Sequence, residues 1–259
     1  MSRYKYCVIV GVSRGLGAAM AEELLEKGGI QIIGISRTGI EKITGSQKWT
    51  ASGRYKHVVA DIASFEGKRV IKENITDFGN ESVCVIFNSA VVEADVNSDK
   101  TVETAISAKI NSVGVDGLIN CIEAFQEHLL KRGGLFVGIS SFSALTPPVA
   151  EPRVAYPASK AYLDMTLRCL RNLWRGRCGV VTVHLGHLGN KAGSGLTGLL
   201  AVNYKTAAKK IITAIFLNMA PDEINYPFLY CLAYRRILSF VPDKAYFTIS
   251  RLLSKRSVK

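Results

Sequence analysis

The stretch Tyr4-Lys5-Tyr6-Cys7-Val8-Ile9-Val10-Gly11-Val12-Ser13-Arg14-Gly15-Leu16-Gly17 decides the fold of this 259-residue chain. Its first half is a short apolar run that predicts a buried strand, and its second half is a glycine-rich turn. The residues that follow place leucines and a methionine on one side of a helix, which the pair Gly28-Gly29 ends. Residues 30–35 predict a second strand, so the stretch is a strand–helix–strand unit.

The same alternation continues along the chain. Further strands are predicted at residues 55–60, 83–87, 134–139 and 180–185, separated by helical segments. This order predicts an α/β fold with a doubly wound parallel sheet of the Rossmann type, as one domain of three α/β/α layers over residues 1–225. Residues 226–259 are expected to form a C-terminal basic amphipathic helical extension, packed on the domain, a partner subunit or a membrane surface.

Three intervening segments carry expectations of their own. Residues 39–54 are polar and predict a loop, and residues 64–78 predict a charged helix with Ser64 as its N-cap. Residues 101–131 predict one long helix with Asn111 buried near its middle, where it either bonds a neighbouring carbonyl or holds a water beside the site. A further helix is expected at residues 206–219.

The glycine-rich turn predicts a dinucleotide site. Glycines let the backbone approach a pyrophosphate, and the amino end of the next helix supplies N–H donors and positive potential. Arg37 follows the second strand, where an acidic residue would bind the ribose of NAD, and an arginine suits the 2′-phosphate of NADP. NADP is therefore predicted, with NAD as the alternative. The candidate residues of the turn are Gly11, Ser13, Arg14, Gly15, Leu16 and Gly17.

A second constellation follows the strand at residues 134–139. Tyr156 and Lys160 are one helical turn apart, so their side chains share a face. A phenol is a poor proton donor at neutral pH until a cation stabilises its phenolate, and Lys160 supplies that cation. Ser141 is expected at the carboxyl end of the strand, where it can hydrogen-bond a substrate oxygen.

Together these residues resemble the short-chain dehydrogenase/reductase family over residues 4 to about 225. The residues that match the family pattern are Gly11, Gly15, Gly17, Asp61, Asn88, Asn111, Ser141, Tyr156 and Lys160. The resemblance implies that Tyr156 is the general acid/base, that Lys160 binds the nicotinamide ribose, and that Asn111 holds a proton-relay water. It also implies cofactor contacts from Asp61 to the adenine, with further contacts expected from Ile62, Asn88, Ser89, Ala90, Gly186 and Leu188.

The chain departs from the family pattern at several places. Val10 replaces a threonine in the first motif, and Val91 ends a motif that normally ends in glycine. Leu185 stands where proline is usual, and Asn190 where threonine is frequent. The gap from Ser141 to Tyr156 is longer than is usual in the family, so Ser143, which lies at the usual distance from Tyr156, is a rival for the serine role. Ser141 is preferred because it follows the strand immediately. None of these changes touches Tyr156 or Lys160, so activity is still expected.

The amino-acid composition limits the classes of partner and the location that can be expected for this protein. The net charge of +12 favours anionic partners, and because the charge is not in one block it argues against a nucleic-acid tail. The six cysteines have no metal-type spacing, so no metal site is predicted and a reducing cytoplasm is the expected location. Because the first residues lead directly into a strand, no signal peptide is expected, and no apolar run long enough to predict a membrane-spanning helix is present. His184 and His187 are expected to be packing and loop residues.

Two further segments carry predictions. The first is rich in glycine and leucine, and the second is basic. Residues 193–200 predict either a mobile apolar lid or a plain surface loop. Residues 228–240 and 245–253 predict two short helices broken by Pro242, which either contact an anionic membrane peripherally or dock on protein. The resemblance implies a homodimer or homotetramer.

The sequence therefore predicts an NAD(P)-dependent oxidoreductase, which transfers hydride between nicotinamide and a carbonyl or secondary alcohol. The expected reaction is the NADPH-dependent reduction of an apolar or lipid-linked small molecule by an Asn-Ser-Tyr-Lys tetrad. The alternative is a catalytically retired member of the same fold that senses nucleotides or acts as a scaffold at the membrane.

Overall fold

A computed structural model describes residues 3–75, 78–146, 153–189, 202–216, 220–228, 240–242 and 244–248. Within them the chain forms a seven-stranded sheet whose order is β3-β2-β1-β4-β5-β6-β7, with every neighbouring pair parallel. The strands are β1 (Tyr6–Val10), β2 (Gln31–Ser36), β3 (Tyr55–Val59), β4 (Val83–Phe87), β5 (Leu135–Ser141), β6 (Gly179–Leu185) and β7 (Glu223–Tyr226). The predicted doubly wound parallel sheet is confirmed.

Helices cover both faces of this sheet. They are α1 (Gly15–Lys27), α2 (Ser46–Ala51), α3 (Phe65–Ile75), α4 (Thr104–Asn111), α5 (Gly117–Arg132), α6 (Ala155–Leu173) and α7 (Tyr204–Ile215). One apolar core joins the sheet to α1 and α7, through residues such as Met20 and Ile211. The other joins it to α3, α5 and α6, through residues such as Leu118 and Leu167. The chain therefore has the three predicted layers.

The strand order places a crevice between β1 and β4. The chain winds outward from β1 through β2 to β3, and then returns to build β4 on the other side of β1. Val10 at the end of β1 pairs with Phe87 at the end of β4. Ligands of open α/β sheets bind beyond the carboxyl ends of the strands at such a reversal.

The segment at residues 39–54 was predicted as a loop, and that prediction is wrong. It contains a 3₁₀ turn (Ile40–Lys42) and the helix α2. Trp49 is 1% exposed and its ring centroid lies 5.1 Å from that of Tyr55. The burial of the Trp49 ring stabilises α2, a short helix that the polar residues around Trp49 do not predict.

The long helix predicted at residues 101–131 is interrupted. α4 ends at Asn111, a π-helical turn covers Ser112–Asp116, and α5 follows. The helix predicted at residues 64–78 is α3, which is shorter than predicted. Ser64 is its N-cap, as predicted, because Ser64 Oγ accepts a hydrogen bond from the Gly67 N–H at 2.9 Å. α7 begins earlier than predicted because the side chain of Asn203 accepts a hydrogen bond from Thr206 N–H at 2.7 Å.

The structure describes only part of the C-terminal extension. The predicted helices at residues 228–240 and 245–253 lie largely outside the described residues, and a helical turn is present at residues 244–248. No helix within the described ranges is both long and apolar enough to cross a membrane. Cys7, Cys84, Cys121 and Cys178 are buried free thiols, in agreement with their predicted role as small apolar side chains.

Candidate active site

The glycine-rich turn lies at the carboxyl end of β1 and is packed without room for side chains. Gly11 has a φ of +91°, and a Cβ atom there would lie 2.8 Å from the backbone nitrogen of Ser89. A Cβ atom on Gly17 would overlap the carbonyl oxygen of Gly11. The turn and the first residues of α1 therefore approach each other as closely as backbone allows, which leaves a cradle for a phosphate group.

Asn88 holds this cradle from the neighbouring strand. Its Nδ2 donates a hydrogen bond to the Gly11 carbonyl at 2.8 Å, and its backbone N–H donates to the Val10 carbonyl at 2.9 Å. The predicted Asn88-Ser89-Ala90 segment thus lies against the turn at the crevice. Of the other predicted turn residues, Leu16 is buried, Ser13 and Gly15 are half-buried, and Arg14 is exposed.

The loop after β2 carries Arg37, whose side chain is exposed. His57 on β3, which the sequence did not single out, holds this loop through its Nε2, 2.9 Å from the Thr38 carbonyl oxygen. The hydroxyl of Tyr55 lies 2.8 Å from His57 Nδ1. Burial lowers the pKa of His57, against the opposing effects of the Thr38 carbonyl and Glu41. The neutral ring therefore bridges Tyr55 and the loop.

The predicted adenine contacts, Asp61 and Ile62, form a turn after β3. Asp61 Oδ1 accepts a hydrogen bond from Ala63 N–H at 3.0 Å. Asn120 on α5 donates to the Ile62 carbonyl oxygen at 2.8 Å. A side chain at Gly67 would overlap the Asp61 carbonyl, so α3 packs directly on this turn. Asn120 is a second positioning residue that the sequence did not reveal.

Tyr156, Ser141 and Lys160 converge at the carboxyl end of β5. Ser141 is the last residue of that strand, and Tyr156 is the second residue of α6. Burial raises the pKa of Tyr156, against the opposing effects of a hydrogen bond with Ser141 and the positive charge of Arg153. A phenol held protonated beside a serine hydroxyl is suited to donate a proton.

The buried ammonium of Lys160 points at the same strand. Its Nζ donates a hydrogen bond to the Ile139 carbonyl at 2.8 Å and lies 5.8 Å from the centroid of the Tyr156 ring. Burial lowers the pKa of Lys160 to about 8. The side chain is therefore charged at neutral pH and loses its proton when the pH rises past about 8.

The two rival serines are in contact. Ser143 donates from its Oγ to Ser141 Oγ at 3.0 Å, and its backbone N–H donates to the same oxygen at 3.3 Å. Ser141 interacts with Tyr156 directly, so the structure favours it over Ser143 as the partner of the phenol.

Asn111 was expected to be buried, and that expectation is wrong. It is the last residue of α4 and its side chain is exposed, whereas Ile110 and Val113 occupy the buried positions on either side. The helix periodicity therefore turns Asn111 away from the core.

Asp95 is the main site residue that the sequence analysis missed. It is 0% exposed, and its carboxylate accepts hydrogen bonds from the backbone N–H groups of Val154 at 2.9 Å and Ala155 at 2.8 Å. Ser107 Oγ donates to it at 2.8 Å. Burial alone would raise the pKa of Asp95, but the donors from Ala155, Val154 and Ser107 outweigh burial and lower it. A negative charge thus caps the helix that carries Tyr156.

The segment after β6 is only partly described. Gly186 N–H donates to the Tyr226 carbonyl on β7 at 3.0 Å, and Leu188 pairs with Val202. Asn190 and the predicted lid at residues 193–200 lie outside the described residues. His184 is buried and its Nε2 lies 2.7 Å from Asp164 Oδ1 on α6, in agreement with its predicted packing role.

Replacing Lys160 by methionine is expected to raise the free energy of unfolding of the cofactor-free protein by roughly 2 kcal/mol at pH 7. The native ammonium has a pKa of about 8 against an ordinary 10.5, so its charge destabilises the fold wherever it is present. The gain is complete below pH 8, where both states carry the charge, and it disappears as the pH rises to 10.5, because the lysine of the unfolded chain then also loses its proton. Urea denaturation of both proteins at pH 7 and pH 10 measures it. Equal gains at both values would contradict the explanation.

Comparison with known proteins gives the family. The sequence model described as short chain dehydrogenase matches residues 5–192, which is well over half of the chain. The chain belongs to the short-chain dehydrogenase family. The predicted resemblance is thereby confirmed.

Relatives of this short-chain dehydrogenase are distant. It is 24% identical over 230 residues to the NADPH-dependent 1-acyldihydroxyacetone phosphate reductase of Schizosaccharomyces pombe, covering 88% of this chain and 70% of that protein. It is 27% identical over 145 residues to the meso-2,3-butanediol dehydrogenase of Serratia marcescens, covering 54% of this chain and 55% of that enzyme. A short-chain dehydrogenase from Burkholderia cenocepacia, solved in complex with NADP, superimposes with a TM-score of 0.72 at 18% identity, covering 100% of both chains.

Proposed function

We propose that this short-chain dehydrogenase is an NADP-dependent oxidoreductase that interconverts a carbonyl and a secondary alcohol. The observation that carries the proposal is the convergence of Tyr156, Ser141 and Lys160 at the carboxyl end of β5. A proton donor, a hydrogen-bonding hydroxyl and a buried cation are the groups that reduction of a carbonyl requires.

The residues present fit a dinucleotide cofactor. Any side chain at Gly11 or Gly17 would clash with neighbouring atoms, so only glycine lets the turn approach a ligand this closely. Asn88, which follows β4, stabilises the turn by a hydrogen bond to the Gly11 carbonyl. We assign the pyrophosphate to residues 11–17, the adenine to Asp61 and Ile62, and the nicotinamide end to Asn88, Ser89, Ala90, Gly186 and Leu188. Lys160 and Tyr156 would contact the nicotinamide ribose.

A nicotinamide bound here would supply or accept the hydride, and the side chains of the site would donate or accept the proton. Tyr156 donates its proton to the substrate oxygen as negative charge develops there. Ser141 orients that oxygen by a hydrogen bond. Lys160 is charged at neutral pH, and its positive charge stabilises the phenolate that remains. The exposed Asn111 would hold a water that returns a proton to the site.

Two observations support an apolar or lipid-linked substrate. Val102 and Val154 line a cavity and expose 43% and 51% of their surface. Val154 lies two residues before Tyr156 in the chain. The Schizosaccharomyces pombe relative is named as the reductase of an acylated dihydroxyacetone phosphate. An acyl chain of that kind would find apolar side chains in this region.

The function is tested by following NADPH oxidation across a panel of aldehydes and ketones with increasing alkyl length. We expect turnover that increases with chain length. A protein that binds NADPH but reduces no member of the panel would contradict an oxidoreductase and favour the retired, nucleotide-sensing alternative.

Replacing Arg37 by alanine is expected to raise the KM for NADPH about tenfold and to leave the KM for NADH unchanged, because one exposed charge-assisted contact to the 2′-phosphate is lost. Initial rates with both cofactors measure the effect. Lys42→Ala, which removes an exposed cation from the same loop region, is the matched control. An equal change for both cofactors in Arg37→Ala would contradict the assignment.

Assembly and location remain proposals. Exposed apolar side chains on the long helices support a homodimer or homotetramer: they are Ile119 on α5 and Tyr162, Met165 and Leu173 on α6. A monomer in analytical ultracentrifugation would contradict it. We further propose a cytoplasmic protein, divided at about residue 225, whose basic extension contacts anionic membranes peripherally. Equal flotation on anionic liposomes with and without residues 228–259 would contradict the membrane contact.

A further inference from the structure

The loop that carries Arg37 begins directly beside the glycine-rich turn. β2 ends at Ser36. One residue earlier, the carbonyl oxygen of Ile35 accepts hydrogen bonds from the backbone N–H groups of Gly11 and Val12, at 2.8 Å and 3.3 Å. Arg37 is therefore two residues away from a direct contact with the turn to which we assign the pyrophosphate. Its guanidinium can meet a 2′-phosphate of the cofactor only if this short loop keeps its backbone conformation.

The carbonyl group of Thr38 is the point at which this loop is held. It accepts a hydrogen bond from Ser36 Oγ at 2.8 Å, and His57 Nε2 lies 2.9 Å from the same oxygen. The bond from Ser36 is local, whereas His57 lies on β3 and joins the loop to the sheet. Because Thr38 follows Arg37 directly, the bond from β3 limits the directions in which the guanidinium can point.

The hydrogen bonds around His57 decide which ring nitrogen carries the proton. A carbonyl oxygen can only accept, so Nε2 must donate to Thr38. In the neutral ring Nδ1 is then an acceptor, and the hydroxyl of Tyr55, 2.8 Å away, is its donor. Burial raises the pKa of Tyr55 and lowers that of His57, so both side chains are neutral at pH 7 and this arrangement is the one present.

Tyr55 connects these hydrogen bonds to the packed interior. Its ring centroid lies 5.1 Å from that of the buried Trp49, and its hydroxyl fills the space above Gly34 on β2. A Cβ atom on Gly34 would overlap that hydroxyl oxygen and would lie 2.8 Å from a methyl carbon of Val12. The phenol is therefore enclosed on both sides, which fixes the position of the imidazole that it bonds.

Glu41 is the acid that acts on this network. Its side chain is exposed in the 3₁₀ turn Ile40–Lys42, and its negative charge raises the pKa of His57 by less than burial lowers it. Asp61, after the end of β3, is engaged in its own turn. A carboxylate near the loop weakens the attraction for an anion, so recognition of a 2′-phosphate depends on where Arg37 points and not only on the charges of the loop.

We propose that His57 is a positioning residue that sets the preference for NADPH over NADH, because it holds the loop after β2 so that Arg37 faces the 2′-phosphate, and that Tyr55 orients His57. This inference rests on the proposed binding of NADP and adds a residue that touches neither cofactor nor substrate. A cation held in place loses less conformational freedom when it binds, so loss of the bond to Thr38 weakens the binding of NADPH and not that of NADH.

The test measures cofactor binding by fluorescence titration of the full chain with NADPH and with NADH. The quantity compared is Kd for NADH divided by Kd for NADPH, which requires no turnover. His57→Asn puts its amide nitrogen at the place of Nδ1 and cannot reach Thr38, so the ratio is expected to fall about fivefold, the loss of one hydrogen bond. His57→Gln puts its amide nitrogen at the place of Nε2 and keeps the donor, so its ratio is expected to stay within about twofold of the parent's.

Two controls separate positioning from a general loss of stability. His128 on α5 makes the same kind of bond, from its Nε2 to the Glu81 carbonyl at 2.9 Å, at the amino end of β4 and so at the edge of the sheet opposite the glycine turn. His128→Asn is expected to lower the melting temperature and to leave the ratio unchanged. In the Arg37→Ala background, His57→Asn is expected to lower the ratio no further, because His57 acts through that guanidinium.

A fall in the ratio that His57→Asn shows, that His57→Gln does not, and that disappears without Arg37 supports the inference. An unchanged ratio in His57→Asn overturns it, and so does an equal fall in both variants, a further fall in the double variant, or equal binding of the two cofactors by the parent. If His57→Asn does not fold, Tyr55→Phe takes its place, with an expected fall of about twofold. An unchanged ratio in Tyr55→Phe would then overturn the inference.

The failure of the proposed function gives a different result. A protein that shows the expected ratios and reduces no carbonyl of the panel would contradict the oxidoreductase and keep the role of His57. A protein that reduces carbonyls with ratios unaffected by His57→Asn would keep the oxidoreductase and remove that role.

Discussion

Replacing Tyr156 by phenylalanine is expected to lower kcat by roughly 10²–10⁴-fold, the usual contribution of a positioned general acid. The substitution removes only the hydroxyl. The ring would keep its packing against the small apolar cluster of Val91, Ile110, Val113 and Ala155. Fold and cofactor cradle should therefore survive, and the loss should appear in the chemical step.

Three measurements on Tyr156→Phe separate these effects. Turnover is measured with the best carbonyl of the panel, NADPH binding by fluorescence, and stability by thermal denaturation. Tyr162→Phe is the matched control, because Tyr162 lies on the same helix with 40% of its surface exposed. Parent-level turnover in Tyr156→Phe would refute the assignment of the proton donor, and with it the proposed mechanism.

Replacing Asp95 by alanine is expected to lower the free energy of unfolding by roughly 2–4 kcal/mol, because it leaves three partly or fully buried hydrogen bonds without their acceptor. The donors are the N–H groups of Val154 and Ala155 and the hydroxyl of Ser107. Since the first two begin the helix that carries Tyr156, kcat should fall as well. Asp95→Asn keeps one acceptor oxygen and should lie between the parent and Asp95→Ala in both measurements.

The pH dependence of this contribution has a definite sign. The native pKa of Asp95 is lowered below its ordinary 3.8, so the unfolded chain takes up a proton first as the pH falls. The stabilisation is complete above about pH 4 and is lost as the pH falls through the native pKa. Urea denaturation of parent and variant at pH 7 and pH 3 measures it. Asp222→Ala, whose side chain is 78% exposed, is the control. Equal stability of the parent and Asp95→Ala at pH 7 would contradict the role of the carboxylate.

The parts of the molecule that sequence predicts well are local. The first strand, the glycine turn and α1 follow from residues that are neighbours in the chain, and the shared face of Tyr156 and Lys160 follows from helix geometry. Ser141 was placed correctly because it directly follows an apolar run. Each prediction needed only periodicity and the chemistry of a few adjacent residues.

The supporting residues are not predictable in this way. The bonds of Asp95 to Val154 and Ala155 join residues 59 and 60 positions apart, and Asn120 reaches Ile62 across 58 positions. No sequence pattern marks such pairs. β7 was missed for a related reason, since Glu223–Tyr226 has no apolar run and becomes a strand by pairing with β6.

The hydrogen bonds of Asp95 also divide the segment after β4 into a fixed base and an independent turn. The carboxylate anchors the base of the segment to α6, while the turn at Asn97–Thr101 closes on itself through its own hydrogen bonds. Residues at the tip of that turn can therefore be exchanged without disturbing the anchor. Natural divergence, or an engineer grafting a different tip, can therefore change this exposed surface while Tyr156 stays where it is.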